Sequence, residues 1–483
     1  MKWNKAVSLN KTFLPVCDIQ KDDGFYWKQF ICHDDFYRLL ENTLNMYQKR
    51  EKSIWLQGTF GSGKTHATTV IKNLFSKDVS EIEDYINHSI QEPRLKPTIL
   101  NLRENFKTFP IILKGSYHIS DSKSFGFAIQ QEVITALKNQ NINEIIENSF
   151  DSMIEVINNK PTYWQETIEN SRLIDEVINN QELIDELKDK NSSLLKLCED
   201  ELLKDGFGTI TNNIIKFLED TATIVKKYGY DNITLFWDEF TPILEVDRYN
   251  DILMMLQNLS ENIKNDNVFL FIVAHRTLRE DKILKDDISK VYDRFALTHY
   301  SMKEITTYSL LSNSLIKLSE YKQIKNSFKN QNDFNELIRY VLNQEDDTVN
   351  FRNILDMLPI HPYSGLILTK IAKELKSSNR SIFSFLYDDN GFKLFLNQET
   401  SFLMDITYLW DYFLDEFEKN EKLYPYLTRY ETAKEIENIN NGYLVILKAI
   451  LLLNILNKVA GGDELKFHKI LKPILPQKNQ TIF

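Results

Sequence analysis

The sequence has few residues that break or cross-link a chain, with 3 cysteines, 14 glycines and 11 prolines among 483 residues. The cysteines, at positions 17, 32 and 198, form no CxxC pair. This excludes a cysteine-built zinc site and a disulfide scaffold, and it favours a reducing compartment. At 42% hydrophobic and 12% aromatic, the chain can bury substantial cores. We therefore expect a folded protein of about two to four domains.

The sequence also lacks a hydrophobic run long enough to span a membrane. The most apolar tract, 443–456, is too short and contains Lys448. The first 16 residues are polar and lack the apolar core of a secretory signal. We therefore expect a cytoplasmic protein with no membrane partner.

The charge of the chain argues against a surface built wholly for nucleic acid. The net charge is −11, from 58 basic and 69 acidic residues. A basic tail near the C-terminus could contact the phosphate backbone of DNA. The alternative is that this tail is simply solvated. This tail consists of Lys466, His468, Lys469, Lys472 and Lys478.

Most of the excess negative charge lies in one segment. Residues 141–200 contain 14 acidic and 5 basic side chains. Apolar residues recur there at intervals of three and four, as on one face of a helix. These are Ile174, Val177, Ile178, Leu183, Ile184 and Leu187. We predict an acidic helical insertion at about 140–205, either as a solvated face or as a docking surface for a partner.

Four short runs are almost continuously apolar, and each precedes a helical pattern, which is typical of buried parallel strands. The runs are Ser53–Gln57, Phe109–Lys114, Ile233–Trp237 and Val268–Ala274, with Phe295–Tyr300 as a fifth candidate. Alternation of strands with helices predicts an α/β fold with a parallel sheet. We expect an N-terminal lead (1–50), an α/β core (51–300), and two helical regions (301–395 and 396–483).

The segment after the first of these strands fits the pattern GxxxxGK[ST] and precedes a predicted helix at 65–74. Glycines let backbone N–H groups turn toward a phosphate, and the helix N-terminus favours negative charge. We expect Lys64 to reach the β- and γ-phosphates of ATP and Thr65 to bind Mg²⁺. The alternative is a glycine-rich turn that fits the pattern by chance. The expected cofactor-binding residues are Gly58, Thr59, Phe60, Gly61, Ser62, Gly63, Lys64, Thr65 and His66.

Two carboxylates, Asp238 and Glu239, end the strand 233–237. Metal-assisted hydrolysis of a phosphoanhydride needs one carboxylate near Mg²⁺ and another that polarises water. We expect Asp238 in the first role and Glu239 in the second, since a nucleotide kinase would need no base for water. The alternative is a strand that ends in a solvated acidic turn.

The strand 268–274 also ends in polar residues. His275 can hydrogen-bond water or phosphate, so we expect it to sense the γ-phosphate. The alternative is a strand end that simply meets solvent. Arg276 follows and is a weaker candidate.

The order of these elements resembles the AAA+ superfamily, especially its origin-recognition and signal-transduction ATPase branches. In that superfamily, an arginine just before the fifth strand reaches the ATP of a neighbouring subunit, and Arg294 in Asp293-Arg294-Phe295 has that position. A second arginine at the start of a lid helix contacts the γ-phosphate, and Arg380, after Ser378, fits it. The resemblance implies a helical lid at 301–395 and a homo-oligomeric ring or filament. The alternatives are an Arg294 ion pair with Asp287 or Asp293 and an ordinary surface position for Arg380.

Later segments are similar to the large BREX ATPases, of the BrxC and PglY kind, from bacterial antiphage defence clusters. The segments are HPYSGLILTKIAKEL, NRSIFSFL, YLWDYFLDEFE and ILKAILLLNIL. This resemblance implies protein partners of a defence system. We therefore expect a Mg-ATP-hydrolysing enzyme of an antiphage or DNA-processing complex. The alternative function is a nucleotide-switched sensor or scaffold that oligomerises on ligand recognition.

Overall fold

The computed structural model divides the chain into two compact units, each with its own core. One comprises 1–16, 59–63 and 301–483, and the other 17–58 and 64–300. The residues that the structure describes are 1–10, 19, 26–58, 62–115, 117–144, 146–208, 213–261, 268–275, 293–301, 304–343, 345, 349–374, 378–419, 421, 424–436 and 440–455.

The described residues include seven strands and a larger set of helices. The strands are β1 (Val7–Leu9), β2 (Ser53–Gly58), β3 (Thr108–Lys114), β4 (Asn232–Asp238), β5 (Val268–His275), β6 (Phe295–His299) and β7 (Leu315–Lys317). The helices up to residue 300 are α1 (Asp34–Lys49), α2 (Lys64–Ser76), α3 (Val79–Ser89), α4 (Leu95–Arg103), α5 (Ser122–Asn139), α6 (Ser149–Asn159), α7 (Pro161–Asn170), α8 (Asn180–Lys188), α9 (Ser192–Lys204), α10 (Ile214–Lys226) and α11 (Tyr249–Glu261). Those after it are α12 (Glu304–Asn313), α13 (Tyr321–Lys329), α14 (Asn332–Leu342), α15 (Phe351–Leu355), α16 (Pro362–Glu374), α17 (Ser378–Tyr387), α18 (Phe392–Phe395), α19 (Thr407–Tyr412), α20 (Leu414–Lys419), α21 (Tyr424–Lys434) and α22 (Asn441–Ile455).

The unit at 17–58 and 64–300 contains a five-stranded sheet in the order β3-β4-β5-β2-β6, with every pairing parallel. This confirms the predicted α/β class and parallel sheet. All residues of β2 and β4 are buried, because helices cover both faces of the sheet. Parallel strands end at one edge, so β2, β3, β4 and β5 bring their final residues together there.

Successive residues of each strand belong to different cores, as the twofold alternation of a strand requires. Trp55 and Trp237 pack with α5, α10 and α11 on one face. Ile54 and Phe236 pack with α1 and α2 on the other. The two tryptophans are therefore core residues.

The acidic segment forms α6 to α9, a helical layer with a core of its own that includes Phe127 of α5. Side chains of Asn148, Asn179 and Asn191 accept hydrogen bonds from backbone N–H groups and so cap α6, α8 and α9. The fully buried Glu199 on α9 accepts from the Lys123 ammonium on α5 at 2.8 Å. The layer is thus attached to α5 by both apolar packing and an ion pair.

The other unit is mostly helical and includes the first residues of the chain. β1 pairs antiparallel with β7, a contact between segments about 300 residues apart that no local pattern predicts. Trp3 is fully buried, its indole N–H donates to the Phe402 carbonyl oxygen at 2.7 Å, and its ring stacks on Phe328. The N-terminus therefore contributes to the core of the helical unit.

We predict that Trp3→Ala lowers the free energy of unfolding by about 3–5 kcal/mol, because it removes a buried ring and leaves a cavity. Chemical denaturation followed by tryptophan fluorescence and circular dichroism measures the change. The control is Phe402→Ala, at a ring that is 43% exposed, with an expected loss of about 0.5 kcal/mol. Equal losses for the two variants would contradict the anchoring role of Trp3.

Candidate functional site

The turn between β2 and α2 begins the candidate site. Gly63 has a φ of +90°, which side chains with a Cβ rarely adopt, so the turn requires glycine there. α2 starts at Lys64, and its first N–H groups have no partner within the helix. Such a helix N-terminus favours an anion. The expected residues Thr59, Phe60 and Gly61 lie outside the described residues.

The Lys64 side chain is buried and folds back toward the strand ends. Its ammonium donates to the Gly58 carbonyl oxygen at 2.8 Å and lies 3.3 Å from His275 Nδ1. Burial lowers the pKa of Lys64 to about 8, and the Asp238 carboxylate opposes this shift. A bound phosphate would replace the water that burial removed from this ammonium.

Thr65 and Asp238 are joined by a hydrogen bond. The Thr65 hydroxyl donates to Asp238 Oδ2 at 2.7 Å, and the Glu239 N–H donates to Oδ1 at 2.9 Å. Burial raises the pKa of Asp238, while the bond from Thr65 and the charges of Lys64 and Lys114 oppose the rise. A hydroxyl and a carboxylate are oxygen ligands of the kind that Mg²⁺ prefers, directly or through water.

Glu239 leaves β4 in the left-handed region, with a φ of +57° and an exposed side chain. Such a backbone is uncommon for glutamate and is typical of functional sites. The next residue, Phe240, is buried and its N–H donates to the Val273 carbonyl oxygen at 3.0 Å. The turn therefore presents the Glu239 carboxylate to solvent beside buried Asp238.

His275 ends β5 directly opposite Gly58 of β2. Its N–H donates to the Thr241 hydroxyl at 2.8 Å. Burial, together with the Lys64 ammonium, lowers the pKa of His275 to about 4, so the ring is neutral at pH 7. A neutral imidazole can accept one hydrogen bond and donate another.

The structure adds two residues that the sequence reasoning missed, Lys114 and Thr241. Lys114 ends β3 opposite Asp238 of β4, and its charge acts on that carboxylate. Thr241 fixes the His275 backbone. The polar end of the Phe109–Lys114 strand is a signal that points to Lys114, whereas no sequence pattern marks Thr241.

Arg294, His66 and Arg380 are also predicted site residues, and the hydrogen bonds and ion pairs that the structure describes for them do not include Lys64 or Asp238. The Arg294 guanidinium donates through Nε to Glu261 at 2.8 Å in a partly exposed pair just before β6. The His66 ring meets Phe30 edge-on at 5.1 Å. Arg380 lies in the first turn of α17, and its side chain is outside the described residues, as are Arg276, Asp287 and the basic tail. The roles expected of Arg294 and Arg380 stay predictions.

In comparisons with known proteins, no protein-family model and no curated protein matches the sequence. Within the described ranges, no three His, Cys, Asp or Glu side chains are grouped so that they could hold a metal ion. Every helix of those ranges is too short or too polar to traverse a bilayer.

The His275 environment predicts a pH dependence of stability. The unfolded chain binds a proton at this residue below about pH 6.5, whereas the folded protein does so only below about pH 4. The neutral His275 ring therefore contributes fully to the free energy of unfolding above about pH 6.5, and this contribution is lost as the pH falls toward 4. Because His275 is partly exposed, solvent reduces the effect, and we expect the free energy of unfolding to fall by about 1–2 kcal/mol.

His275→Gln should remove that part of the pH dependence, measured by denaturant unfolding between pH 7 and pH 4.5. His88→Gln, at an exposed histidine on α3, is the control and should retain the loss of stability that is expected from His275. An unaltered slope in His275→Gln would be inconsistent with a buried neutral imidazole.

Proposed function

We propose that the protein is a Mg-ATP-binding and hydrolysing P-loop ATPase of the AAA+ type. The observation that carries this proposal is the convergence of Lys64, Thr65 and Asp238 at one edge of the parallel sheet. The Thr65 hydroxyl is 2.7 Å from the Asp238 carboxylate. The charge of the Lys64 ammonium acts on the same carboxylate and opposes the rise of its pKa. Such a grouping suits a polyphosphate with its divalent cation.

Each residue of the site has a separate proposed role in hydrolysis. N–H groups at the start of α2 and the Lys64 ammonium would hold the phosphates, and Thr65 and Asp238 would hold the cation. When bound, Mg²⁺ would neutralise charge that develops on the phosphate oxygens. Glu239 accepts a proton from the attacking water, whose oxygen bonds to the γ-phosphorus as the bond to ADP breaks. Neutral His275 hydrogen-bonds the γ-phosphate or that water.

Glu239→Gln should retain ATP binding and lower the hydrolysis rate by about 10²–10⁴-fold, because the amide cannot accept the proton. Phosphate release and fluorescent-nucleotide binding measure the two effects. Glu245→Gln is the matched control, since Glu245 is exposed on the neighbouring 3₁₀ turn Thr241–Glu245. Wild-type turnover in Glu239→Gln would show that another group activates water.

Arg294 is proposed to complete the ATP site of a neighbouring copy in a homo-oligomer. Its pair with Glu261 is partly exposed, and such pairs contribute only about 0–1 kcal/mol, so the arginine can exchange partners at small cost. A guanidinium there would stabilise charge on the transferred phosphoryl group.

Arg294→Ala should lower the ATPase rate by about 10-fold or more and should also inhibit wild-type subunits when the two are mixed. Rates measured across mixing ratios, with the molecular mass in ATP, test this. Arg248→Ala, at an exposed arginine, is the control. A rate that falls only in proportion to the mutant fraction would contradict a role between subunits.

We further propose that hydrolysis serves an antiphage or DNA-processing complex. The support is the resemblance of four segments of the helical half to BREX-type ATPases, on which the sequence-based expectation rests. Stimulation of the ATPase by duplex DNA, or by proteins encoded beside it, would favour this role. Assembly triggered by a protein ligand with no effect of DNA would favour a sensor or scaffold instead.

A further inference from the structure

The turn that follows β3 lies beside the two carboxylates of the candidate site. β3 and β4 pair up to Lys114 and Asp238, so the residues just after the two strands are neighbours. The described residues of the turn are Gly115 and 117–121. Gly115 donates its N–H to the Asp238 carbonyl oxygen at 3.0 Å. The turn therefore contacts the Asp238 backbone directly.

The peptide group that joins Asp238 to Glu239 is held on both sides. Its carbonyl oxygen accepts the bond from Gly115, and its N–H donates to Asp238 Oδ1 at 2.9 Å. Because a peptide group is planar, the two bonds together fix its orientation. That orientation helps to set the φ of Glu239, which is +57° and uncommon for a residue with a Cβ. The Gly115 N–H thus helps to hold Glu239 in its left-handed conformation.

The backbone of Gly115 is fixed on its other side as well. Its carbonyl oxygen accepts from the Trp237 indole N–H at 2.9 Å, and the Trp237 ring stacks on Phe125 of α5 at 4.8 Å. The φ of Gly115 is +74°, and nothing lies within 4 Å of a Cβ placed there. The turn therefore requires glycine for its backbone conformation and not for space.

Tyr117 joins the turn to the end of β3. Its hydroxyl oxygen accepts the Lys114 N–H at 2.8 Å, and its ring meets Trp237 edge-on at 6.1 Å. Tyr117 and His118 have φ values of +47° and +53°. Such conformations are unfavourable for residues with a Cβ, and they persist where surrounding contacts enforce them, often at functional sites. The Tyr117 hydroxyl is one such contact.

The far end of the turn is attached to α5 and to the acidic layer α6 to α9. Asp121 accepts a hydrogen bond from the Ser124 N–H at 2.9 Å and so caps α5. The Lys196 ammonium of α9 lies 3.0 Å from the other carboxylate oxygen of Asp121. Both ends of the turn are therefore fixed.

We propose that Gly115 and Tyr117 are positioning residues, which hold Glu239 so that its carboxylate can accept a proton from water. This role rests on the proposed ATPase function. The proposed phosphate and cation contacts come from other groups, namely Lys64, Thr65 and the Asp238 carboxylate that Thr65 also holds. A disturbed turn should therefore lower kcat and leave the KM for ATP and the Mg²⁺ requirement nearly unchanged.

Two variants alter the turn and keep its surroundings. Tyr117→Phe removes the hydroxyl and keeps the ring beside Trp237. Gly115→Ala places a Cβ at a positive φ without a steric clash. Each should lower kcat by about 10-fold, with the KM for ATP and the half-saturating Mg²⁺ concentration within about twofold of the unaltered protein. Steady-state phosphate release measures all three parameters.

Matched controls separate positioning from stability. Gly206, just after α9, has a φ of +76° and nothing within 4 Å of a Cβ placed there. Gly206→Ala should therefore lower the Tm as Gly115→Ala does, and it should leave kcat unchanged. Tyr163→Phe removes a hydroxyl that donates to Asp205 at 2.7 Å in the acidic layer, and it should leave kcat unchanged as well.

A double variant tests whether the turn acts through Glu239. In Glu239→Gln, the added change Tyr117→Phe should alter the residual rate by less than about twofold, because the carboxylate that it positions is gone. A further fall of about 10-fold in that background would overturn the role. The role is also overturned if both turn variants keep the kcat of the unaltered protein, or if Gly206→Ala loses as much kcat as Gly115→Ala.

These outcomes reject the positioning role and leave the proposed ATPase standing. An unaltered protein that hydrolyses no ATP would instead reject the ATPase and this role together.

Discussion

The hydrogen bond between the Thr65 hydroxyl and the Asp238 carboxylate joins the start of α2 to the end of β4. These residues are 173 positions apart, and α3 to α10 lie between them in the chain. The bond forms because β2 and β4 are parallel members of one sheet and end at the same edge. The positions of Lys64, Glu239 and His275 depend on the same register.

Burial shifts the pKa values of three groups at this edge in the direction that favours the neutral form. The pKa of Lys64 falls to about 8, that of His275 falls to about 4, and that of Asp238 rises. Buried charged groups have lost water that a charged ligand can replace, and this supports the proposal that phosphate and a cation bind here. The partners named above limit the shifts, since Asp238 opposes the fall for Lys64 and Lys64 opposes the rise for Asp238.

Three parts of the protein outside the candidate site differ in how they are packed. The acidic layer α6 to α9 has its own apolar core and leaves Ile178 72% exposed. The Asn73 amide on α2 is buried and has no hydrogen-bond partner among the described residues. In the other unit, the first residues complete the core of the later helices through Trp3 and β1.

The sequence by itself determined the five parallel strands, the glycine turn before α2 and the acidic helical layer. These features follow from local patterns: continuous apolar runs, the glycines of the GxxxxGK[ST] pattern, and apolar residues three and four apart. The agreement is within a few residues, as for the strand predicted at 233–237 and observed as Asn232–Asp238. Asp238 and His275 were likewise predicted from the polar ends of buried strands.

Only the tertiary structure decided which strand ends meet and which side chains pair. The order of strands places Lys114 opposite Asp238, and long-range packing pairs Arg294 with Glu261 and Trp3 with Phe402. A cavity of about 580 Å³ likewise forms between α2, α5 and β3, which are distant in the chain. Local patterns carry no information on such contacts, because the free energy that selects them comes from burial shared among remote segments.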